Sequence, residues 1–587
     1  MTEAPHERFG WRSFSEVLAA RAAELHDGWS FSFLNEDEEE SSLTFGELDR
    51  RARAIGAMLQ TAGAAGERAL LLFPPGIDYL CALFACLRGG IVAVPAYHPA
   101  RLNRTLPRLT AMIEDARPMV VLTNAQTRAA AEKLFDQAPV LRSTRWIVTG
   151  AEAPGEEDAF REPDLRRDSL ALLQYTSGST SAPRGVMLSH GNLLHNSGFI
   201  CRQFGHHAAS RGVIWLPPYH DMGLIGGILQ PVYAGFPCTL MSPAAFVTRP
   251  QRWLRAVTKY RGTTSGGPNF AYDHCLKRIT PEQCEGLDLS SWDLAFNGAE
   301  PIRPDTLERF ARFFAPWGFR AESFYPCYGL AEGTLAVTGG RKGTVFNAPR
   351  FENKSIQEGR AHVAEDGSGN RLVNCGYPAD DQEVRIVDPI VSREVAAGRV
   401  GEIWVHGPSV AQGYWNRPQE NTHAFGGRLT GHDGTFLRTG DLGFLHEGNL
   451  YVTGRLKDVL IVRGRNYYPH DIERASWESH TALRPFSAAA FTVVIGDTDR
   501  LVVVQEVDSD AAGDPGDMLL AIRRGVADAV DLQVHTIVLV GPRGVPLTPS
   551  GKVQRSACKR LFLDQELEAV THWSLAADAP AEDACSR

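Results

Sequence analysis

Between Tyr175 and Val186 the chain carries six small hydroxyl or glycine residues in a row, Thr176, Ser177, Gly178, Ser179, Thr180 and Ser181, followed closely by Pro183 and Arg184. Such a run cannot pack a core. It turns tightly and presents backbone N–H and side-chain O–H groups to an anion. Arg184 adds a fixed charge with the planar, two-pronged geometry that suits phosphate oxygens. The spacing is not that of a Walker A loop, since no G-x-x-x-x-G-K-[ST] occurs in the chain. Four other segments hold groups that could act on a nucleotide. NGAEP (297–301) is small enough for a planar base to approach the backbone. In YGLAE (328–332), Glu332 is a hard oxygen ligand suited to Mg²⁺ between phosphates. In RTGDLGF (438–444), Asp441 follows a tight turn and offers two acceptors to a vicinal diol. In PLTPSGKVQRS (546–556), a Pro-Ser-Gly turn exposes Lys552. Each has an ordinary reading when taken singly: a surface loop, a strand exit, a solvated glutamate, a turn aspartate, a solubilising lysine.

In this order and spacing the segments resemble the acyl-adenylate-forming superfamily, which includes acyl-CoA synthetases, luciferases and peptide-synthetase adenylation domains. The resemblance runs over about residues 10 to 560. The loop is similar to that family's YTSG[ST]TGxPKG, with Ser181 in place of the second glycine and Arg184 in place of the lysine. Ala331 stands where the family usually has threonine. The resemblance implies ATP as substrate, with Thr176, Ser177, Gly178, Ser179, Thr180 and Arg184 on its phosphates and Mg²⁺ at Glu332. It places adenine against Gly298, Ala299, Glu300, Pro301, Tyr328 and Gly329, and the ribose on Asp441. Arg455 in GRLKD (454–458) would reach the nucleotide, and Lys552 would bridge the carboxylate and the α-phosphate. Asp458 matches the family's hinge, with Gly454 and Gly464 nearby to absorb backbone change.

The acid is addressed by WLPPYHDMGLIGG (215–227) and SGGPNFAY (265–272), both rich in glycine, aromatic and aliphatic residues. An alkyl pocket needs small residues along its axis and apolar walls, which makes His220, Met222, Gly223, Phe270 and Tyr272 candidates for a substrate tunnel. Asp221 and Asp273 stay open as partners for an amino-acid ammonium. The wording YHDMGLIGG, NGAEP, GPSVAQGYW (407–415) and GRNYYPHDIE (464–473) is most similar to fatty acyl-AMP ligases, which pass their acyl group to a carrier protein's phosphopantetheine. Seventy positions separate Glu332 from Glu402, and the excess would be that subfamily's insertion, near 340–369. The expected activity is therefore activation of a medium- or long-chain fatty acid to acyl-AMP, then transfer to a separate acyl carrier protein. The alternatives are a fatty acyl-CoA synthetase and a non-catalytic nucleotide-binding regulator; the substitutions at Ser181 and Arg184 favour the latter slightly.

To hold these segments the chain must supply strand ends. Thr44 and Glu47 are spaced as a capping box, and Leu48, Ala52, Ile55 and Leu59 share one face of the helix that follows. Strands are predicted at 69–73, 91–94, 119–123 and 146–149, with a helix over 78–87. Strands alternating with helices imply doubly wound, mostly parallel sheets that bind ligands at their carboxyl ends. Antiparallel strands at 384–387 and 402–405 suggest a small β-barrel. Two short strands are expected around GRLKD, and a smaller α+β pattern from Tyr467 onward. The expected fold is α/β, with a large N-terminal adenylation region (1–457) and a small mobile α+β domain (458–587).

Composition bounds the partners. At 587 residues the chain is too long for one core. Its net charge of −9 argues against nucleic acid as a main partner. The ten cysteines form no C-x-x-C pair, and reduced thiols in the cytoplasm are the simplest account. The opening segment has no apolar h-region, and the run 69–95 is interrupted by Pro74, Pro75, Asp78 and Arg88, so neither a signal peptide nor a membrane span is expected. No carrier segment is evident after Lys552, which suggests a carrier acting in trans.

Overall fold

The computed structural model describes residues 9–35, 40–96, 102–150, 152–176, 183–462, 465–495, 498–508, 514–548 and 552–575. Ser177, Gly178, Ser179, Thr180, Ser181 and Gly464 lie outside the described residues.

The predicted helix start is present: Glu47 N–H donates to Thr44 Oγ1 at 3.1 Å, and Thr44 N–H donates to Glu47 Oε2 at 2.8 Å. The helix Phe45–Thr61 then buries Leu48, Ala52, Ile55 and Leu59 completely, largely against the helix Ile77–Gly89. The latter is buried from Tyr79 to Gly89. Its one basic residue, Arg88, is paired with Asp49 at 2.9 Å and Glu162 at 2.8 Å, as a buried charge requires.

Two sheets form the N-terminal body. The six-stranded sheet runs Arg145–Val148, Val120–Thr123, Arg68–Leu71, Val92–Pro95, Leu170–Thr176, Arg184–Ser189. It is parallel except for the last pair, the hairpin around the hydroxyl-rich loop. The eight-stranded sheet places Gly212–Ile214, Thr264–Gly267, Leu294–Asn297 and Phe324–Gly329 side by side and parallel, with Ala336–Gly339 returning antiparallel. A large shared apolar core lies between and around the two sheets.

The barrel-like unit is a five-stranded antiparallel sheet, ordered Arg393–Glu394, Glu383–Asp388, Gly401–His406, Leu437–His446, Asn449–Arg455. Polar contacts seat it on the body. Asn192 donates to the carbonyls of Pro408 and Val410 at 2.8 and 2.9 Å. His195 bridges Ser409 and Asp381, at 2.7 Å to each.

From Leu460 onward, strands pair only with one another among the described residues. The main sheet there is Leu483–Ile495, Thr498–Val507, Thr536–Val540 and Ala569–Ser574, with the helices Pro469–Glu478 and Pro515–Val530 packed on it. The segment expected to be an insertion touches three units. Phe351 stacks edge-on to Phe444 and Tyr451 of the five-stranded sheet. Phe346 meets Phe324 of the eight-stranded sheet edge-on, with ring centroids 6.2 Å apart. Gln357 donates to the Val530 carbonyl at 3.4 Å.

One buried group sets an acid limit on stability. The Phe14 N–H donates to His190 Nδ1 at 3.2 Å, and burial pushes the His190 pKa down to about 4. The unfolded histidine titrates near ~6.5, so below that pH the unfolded state binds more protons than the folded one. The stability that depends on neutral His190 is complete above ~6.5 and is lost as pH falls toward the folded pKa, a loss of about 3 kcal/mol. In His190→Asn, whose amide oxygen can accept from Phe14, the melting temperature is expected to fall less steeply over that window. Parallel pH profiles for the two proteins would contradict this assignment.

Candidate nucleotide and acyl site

One cavity of about 820 Å³ runs through the junction of the sheets, and most of the predicted site residues line it. Its polar end is built from loops at the carboxyl ends of neighbouring parallel strands. After Leu294–Asn297 come Gly298, Ala299, Glu300 and Pro301, and after Phe324–Gly329 comes Glu332. Each loop contains a non-glycine residue in the left-handed region, Ala299 at φ 69° and Thr334 at φ 69°. Such backbone is costly and persists where the surrounding structure dictates it, commonly at ligand sites.

Tyr328, Asp441 and Arg455 meet directly. The Tyr328 hydroxyl donates to Asp441 Oδ2 at 2.8 Å, and Arg455 Nε lies 3.0 Å from Asp441 Oδ1. Asp441 is only 6% exposed, whereas the Arg455 side chain is 52% exposed, so water screens the pair from the arginine side. Arg455 and Asp441 sit opposite each other in the antiparallel pairing of Leu437–His446 with Asn449–Arg455, which fixes their approach.

Lys552 enters the same cavity from the C-terminal unit. Its backbone is held by Thr548: Lys552 N–H donates to Thr548 Oγ1 at 3.0 Å, and Thr548 N–H donates to the Lys552 carbonyl at 2.7 Å. Burial and the neighbouring Arg455 push the ammonium pKa down, while the Asp221, Glu300 and Asp441 carboxylates hold it up. The hinge candidate Asp458 accepts from Arg555 at 3.1 Å, and Arg555 also grips the buried Glu473 at 2.7 Å. Arg303 lies over the adjacent rings of Trp477 (4.9 Å) and Phe486 (4.5 Å), which seats the C-terminal unit over the cavity.

At the end of the cavity expected to take the phosphates, Thr176 and Arg184 line the wall. Arg184 Nε lies 2.7 Å from Glu420, and its guanidinium stands over the Tyr414 ring at 5.4 Å. The Tyr414 hydroxyl in turn donates to Glu332 Oε1 at 2.7 Å. Tyr414 is not among the residues expected at the site; its place in GPSVAQGYW is the available signal. No cluster of three or more His, Cys, Asp or Glu side chains able to hold a metal occurs among the described residues. A single carboxylate suits Mg²⁺, which keeps its waters and is shared with substrate phosphates. Glu332, with one oxygen engaged by Tyr414, fits that donor set.

Three tunnel assignments are corrected. Tyr272 is fully buried, donates its hydroxyl to the Phe296 carbonyl at 2.8 Å and packs edge-on to Phe310 and Phe324. It is core. Phe270 stacks with Trp215 and Phe246, and its contribution is its backbone N–H, which donates to Glu300 Oε1 at 2.6 Å. Gly223 is needed for close approach, since a Cβ there would lie 2.2 Å from the Pro217 carbonyl. That turn opens the π-helix Met222–Leu229, a rare element often found at functional sites. It presents His220, paired with Asp221 at 2.6 Å, and Met222, both of which line the cavity. Asp221 thus faces His220 and Lys552, and Asp273 is tied to Thr306 and Lys277.

Gly329 lines the cavity and has a packing role as well. A Cβ there would lie 1.8 Å from the Leu335 carbonyl, in the hairpin that carries Glu332. Gly329→Ala is expected to lower thermal stability, by about 2 kcal/mol or more, and to reduce ATP-dependent activity beyond the loss of folded protein. A melt unchanged within error would refute the packing argument.

Comparison with known proteins agrees with this geometry. Residues 18–415 match the family model described as "AMP-binding enzyme". The chain is 45% identical over 550 residues to the medium-chain-fatty-acid–[acyl-carrier-protein] ligase JamA of Moorena producens, covering 92% of this chain and 93% of that protein. It is 35% identical to the medium-chain-fatty-acid–[acyl-carrier-protein] ligase TtuA of Teredinibacter turnerae, over 91% of this chain and 90% of that one. Among solved structures it resembles the fatty acyl-adenylate ligase of Legionella pneumophila in complex with acyl adenylate and pyrophosphate. There the identity is 42% and the TM-score 0.76, with 97% of this chain and 99% of that chain covered. The chain belongs to the AMP-binding, acyl-adenylate-forming enzymes and, within them, to the fatty acyl-AMP ligases.

Proposed function

We propose that the protein activates a medium- or long-chain fatty acid with ATP, forming acyl-AMP and pyrophosphate, and then passes the acyl group to the phosphopantetheine thiol of a separate acyl carrier protein. The observation that carries this reading is the continuity of the cavity. The same cavity is lined by Asp441, Arg455, Glu332 and Lys552 and by the apolar Ile200, Phe204, Ile214, Phe236 and Phe296. The relatives JamA and TtuA are themselves named as ligases of medium-chain fatty acids to acyl carrier protein.

In this reading adenine rests against Gly298–Pro301 and Tyr328, and Asp441 accepts from the ribose hydroxyls. A carboxylate oxygen attacks the α-phosphorus; the bond to the bridging oxygen breaks and pyrophosphate leaves. Lys552 stabilises the charge that builds on the phosphoryl oxygens. Mg²⁺ at Glu332 would offset phosphate charge. Rotation about Asp458 then clears the cavity mouth, a thiol attacks the acyl carbonyl, and AMP leaves as the thioester forms. Residues 458–587 act as the mobile unit, and residues 340–369, wedged between that unit and the body, favour the arrangement seen here. Each methylene buried in the channel adds ~0.8 kcal/mol, about fourfold in affinity, so dodecanoate should outcompete acetate by a wide margin.

The test is incubation with ATP, Mg²⁺ and dodecanoic acid, alone, with CoA, and with a holo acyl carrier protein, followed by mass spectrometry. Acyl-AMP in every tube, acyl-carrier thioester in the third and little acyl-CoA in the second is the expected pattern. Abundant acyl-CoA would make the protein a CoA synthetase instead. Equal use of acetate and dodecanoate would remove the apolar channel from the argument.

A further inference from the structure

The cavity does not end in hydrocarbon. Along the parallel strands Thr264 lies opposite Leu294, and Phe296 opposite Tyr325, so Thr264 sits five residues toward the amino ends from the level of Tyr328. At the usual strand rise that is about 17 Å from the nucleotide end. The lining there includes His206 and Thr264 and, two residues nearer the nucleotide end, Tyr325 with its partner Gln203. His206 Nε2 lies 3.2 Å from Thr264 Oγ1, and Gln230 Nε2 lies 3.2 Å from His206 Nδ1. The Tyr325 hydroxyl donates weakly to Gln203 Oε1 at 3.5 Å. His206 is held between Phe204 and Phe236 at 5.3 and 4.9 Å. Burial pushes its pKa down to about 3, so the ring is neutral at working pH.

A neutral imidazole has one donor and one acceptor. With Gln230 donating to Nδ1, Nε2–H donates to Thr264, and the Thr264 proton is left to be offered to the cavity. The buried Gln230 Oε1 has no hydrogen-bond partner in this orientation. With the amide turned over, Nδ1–H donates to that oxygen, Thr264 donates to Nε2, and a Thr264 lone pair faces the cavity instead. The triad Gln230–His206–Thr264 can therefore present either a donor or an acceptor to the same point.

We propose that the inner end of the cavity recognises an oxygen function, hydroxyl or carbonyl, near the far end of the acyl chain, so that the preferred acid is a terminally oxygenated fatty acid rather than a plain alkanoate. This rests on the acyl-activating reading above. A site built to pair with a substrate oxygen disfavours the analogue that lacks it, because its own buried groups then go unpaired.

The experiment compares ATP–pyrophosphate exchange by the full chain on decanoic, dodecanoic and tetradecanoic acids and on their terminal hydroxy counterparts. At the best-fitting length the hydroxy acid is expected to be favoured in kcat/KM by about tenfold over the plain acid. In Thr264→Val, which keeps the side-chain shape and removes the hydroxyl, the ratio of kcat/KM for the hydroxy acid to that for the plain acid should fall to about threefold or less. A plain acid used as well as its hydroxy counterpart at every length overturns the proposal from the wild-type protein alone. So does a preference unchanged in Thr264→Val. Exchange with plain acids but not with hydroxy acids overturns the proposal and leaves the activation reading standing; exchange with no acid at all overturns both.

Discussion

Replacing Lys552 by alanine is expected to slow fatty-acid-dependent ATP–pyrophosphate exchange by about 10²–10³-fold, the usual cost of removing a group that meets developing charge. The ammonium enters a cavity with Asp221, Glu300 and Asp441 as its opposite charges and Arg455 as a like charge. That balance places a cation in the polar end of the cavity with no ion-pair partner within 4.0 Å among the described residues. The loss should fall on kcat, because the interaction strengthens as the carboxylate attacks. Thiol transfer from supplied acyl-AMP should survive, since that half-reaction needs no new charge on phosphorus. The lowered pKa has a sign that can be read. A lysine whose pKa is depressed loses its charge at lower pH than a free one, so the alkaline fall of wild-type exchange should begin below the ordinary lysine range. Near wild-type exchange by Lys552→Ala would remove the residue from the chemistry.

Much of the frame was legible because the signals were local. The capping box at Thr44 and Glu47, the buried stripe Leu48–Ala52–Ile55–Leu59 and the β-rich runs of the six-stranded sheet each follow from a short-range rule, and each is present. The polar site was legible for another reason: chemistry-bearing residues sat in motifs whose order is family-specific, and the strand ends bring most of those motifs to one cavity. The acyl channel was not legible in the same way. Apolar and aromatic residues satisfy a core and a tunnel alike, so SGGPNFAY could not say that Phe270 and Tyr272 face away from the cavity. The residues that do line its inner part, such as Phe204, Phe236 and Thr264, come from three separate stretches of chain. Only the packing of the helix His190–Phe204 against the strand Thr264–Gly267 and the turn before the strand Cys238–Met241 joins them. Arg303 escaped for a related reason: its partners Trp477 and Phe486 lie well over a hundred residues downstream.

The second large effect is expected at Asp441. Asp441→Asn is nearly isosteric, but it leaves Arg455 without the carboxylate 3.0 Å away and puts an amide where the Tyr328 hydroxyl donates. Asp441 is buried and Arg455 half exposed, so losing the charged hydrogen bonds costs about 1.5–3 kcal/mol. The expected result is a fall of about 10–10²-fold in kcat/KM for ATP, with the KM for the fatty acid changing far less. A second consequence separates this role from general damage. Asp441 supports the charge on Lys552, and Arg455 opposes it. Removing the carboxylate deletes a supporting charge and frees the opposing one, so the Lys552 pKa should fall further and the alkaline limb of exchange should move to lower pH. A variant that is merely misfolded would lose activity evenly across pH and across both substrates. Steady-state kinetics varying ATP and acid separately, at several pH values, therefore decide the point. An unchanged KM for ATP together with an unmoved alkaline limb would mean that Asp441 holds neither the ribose nor the balance around Lys552.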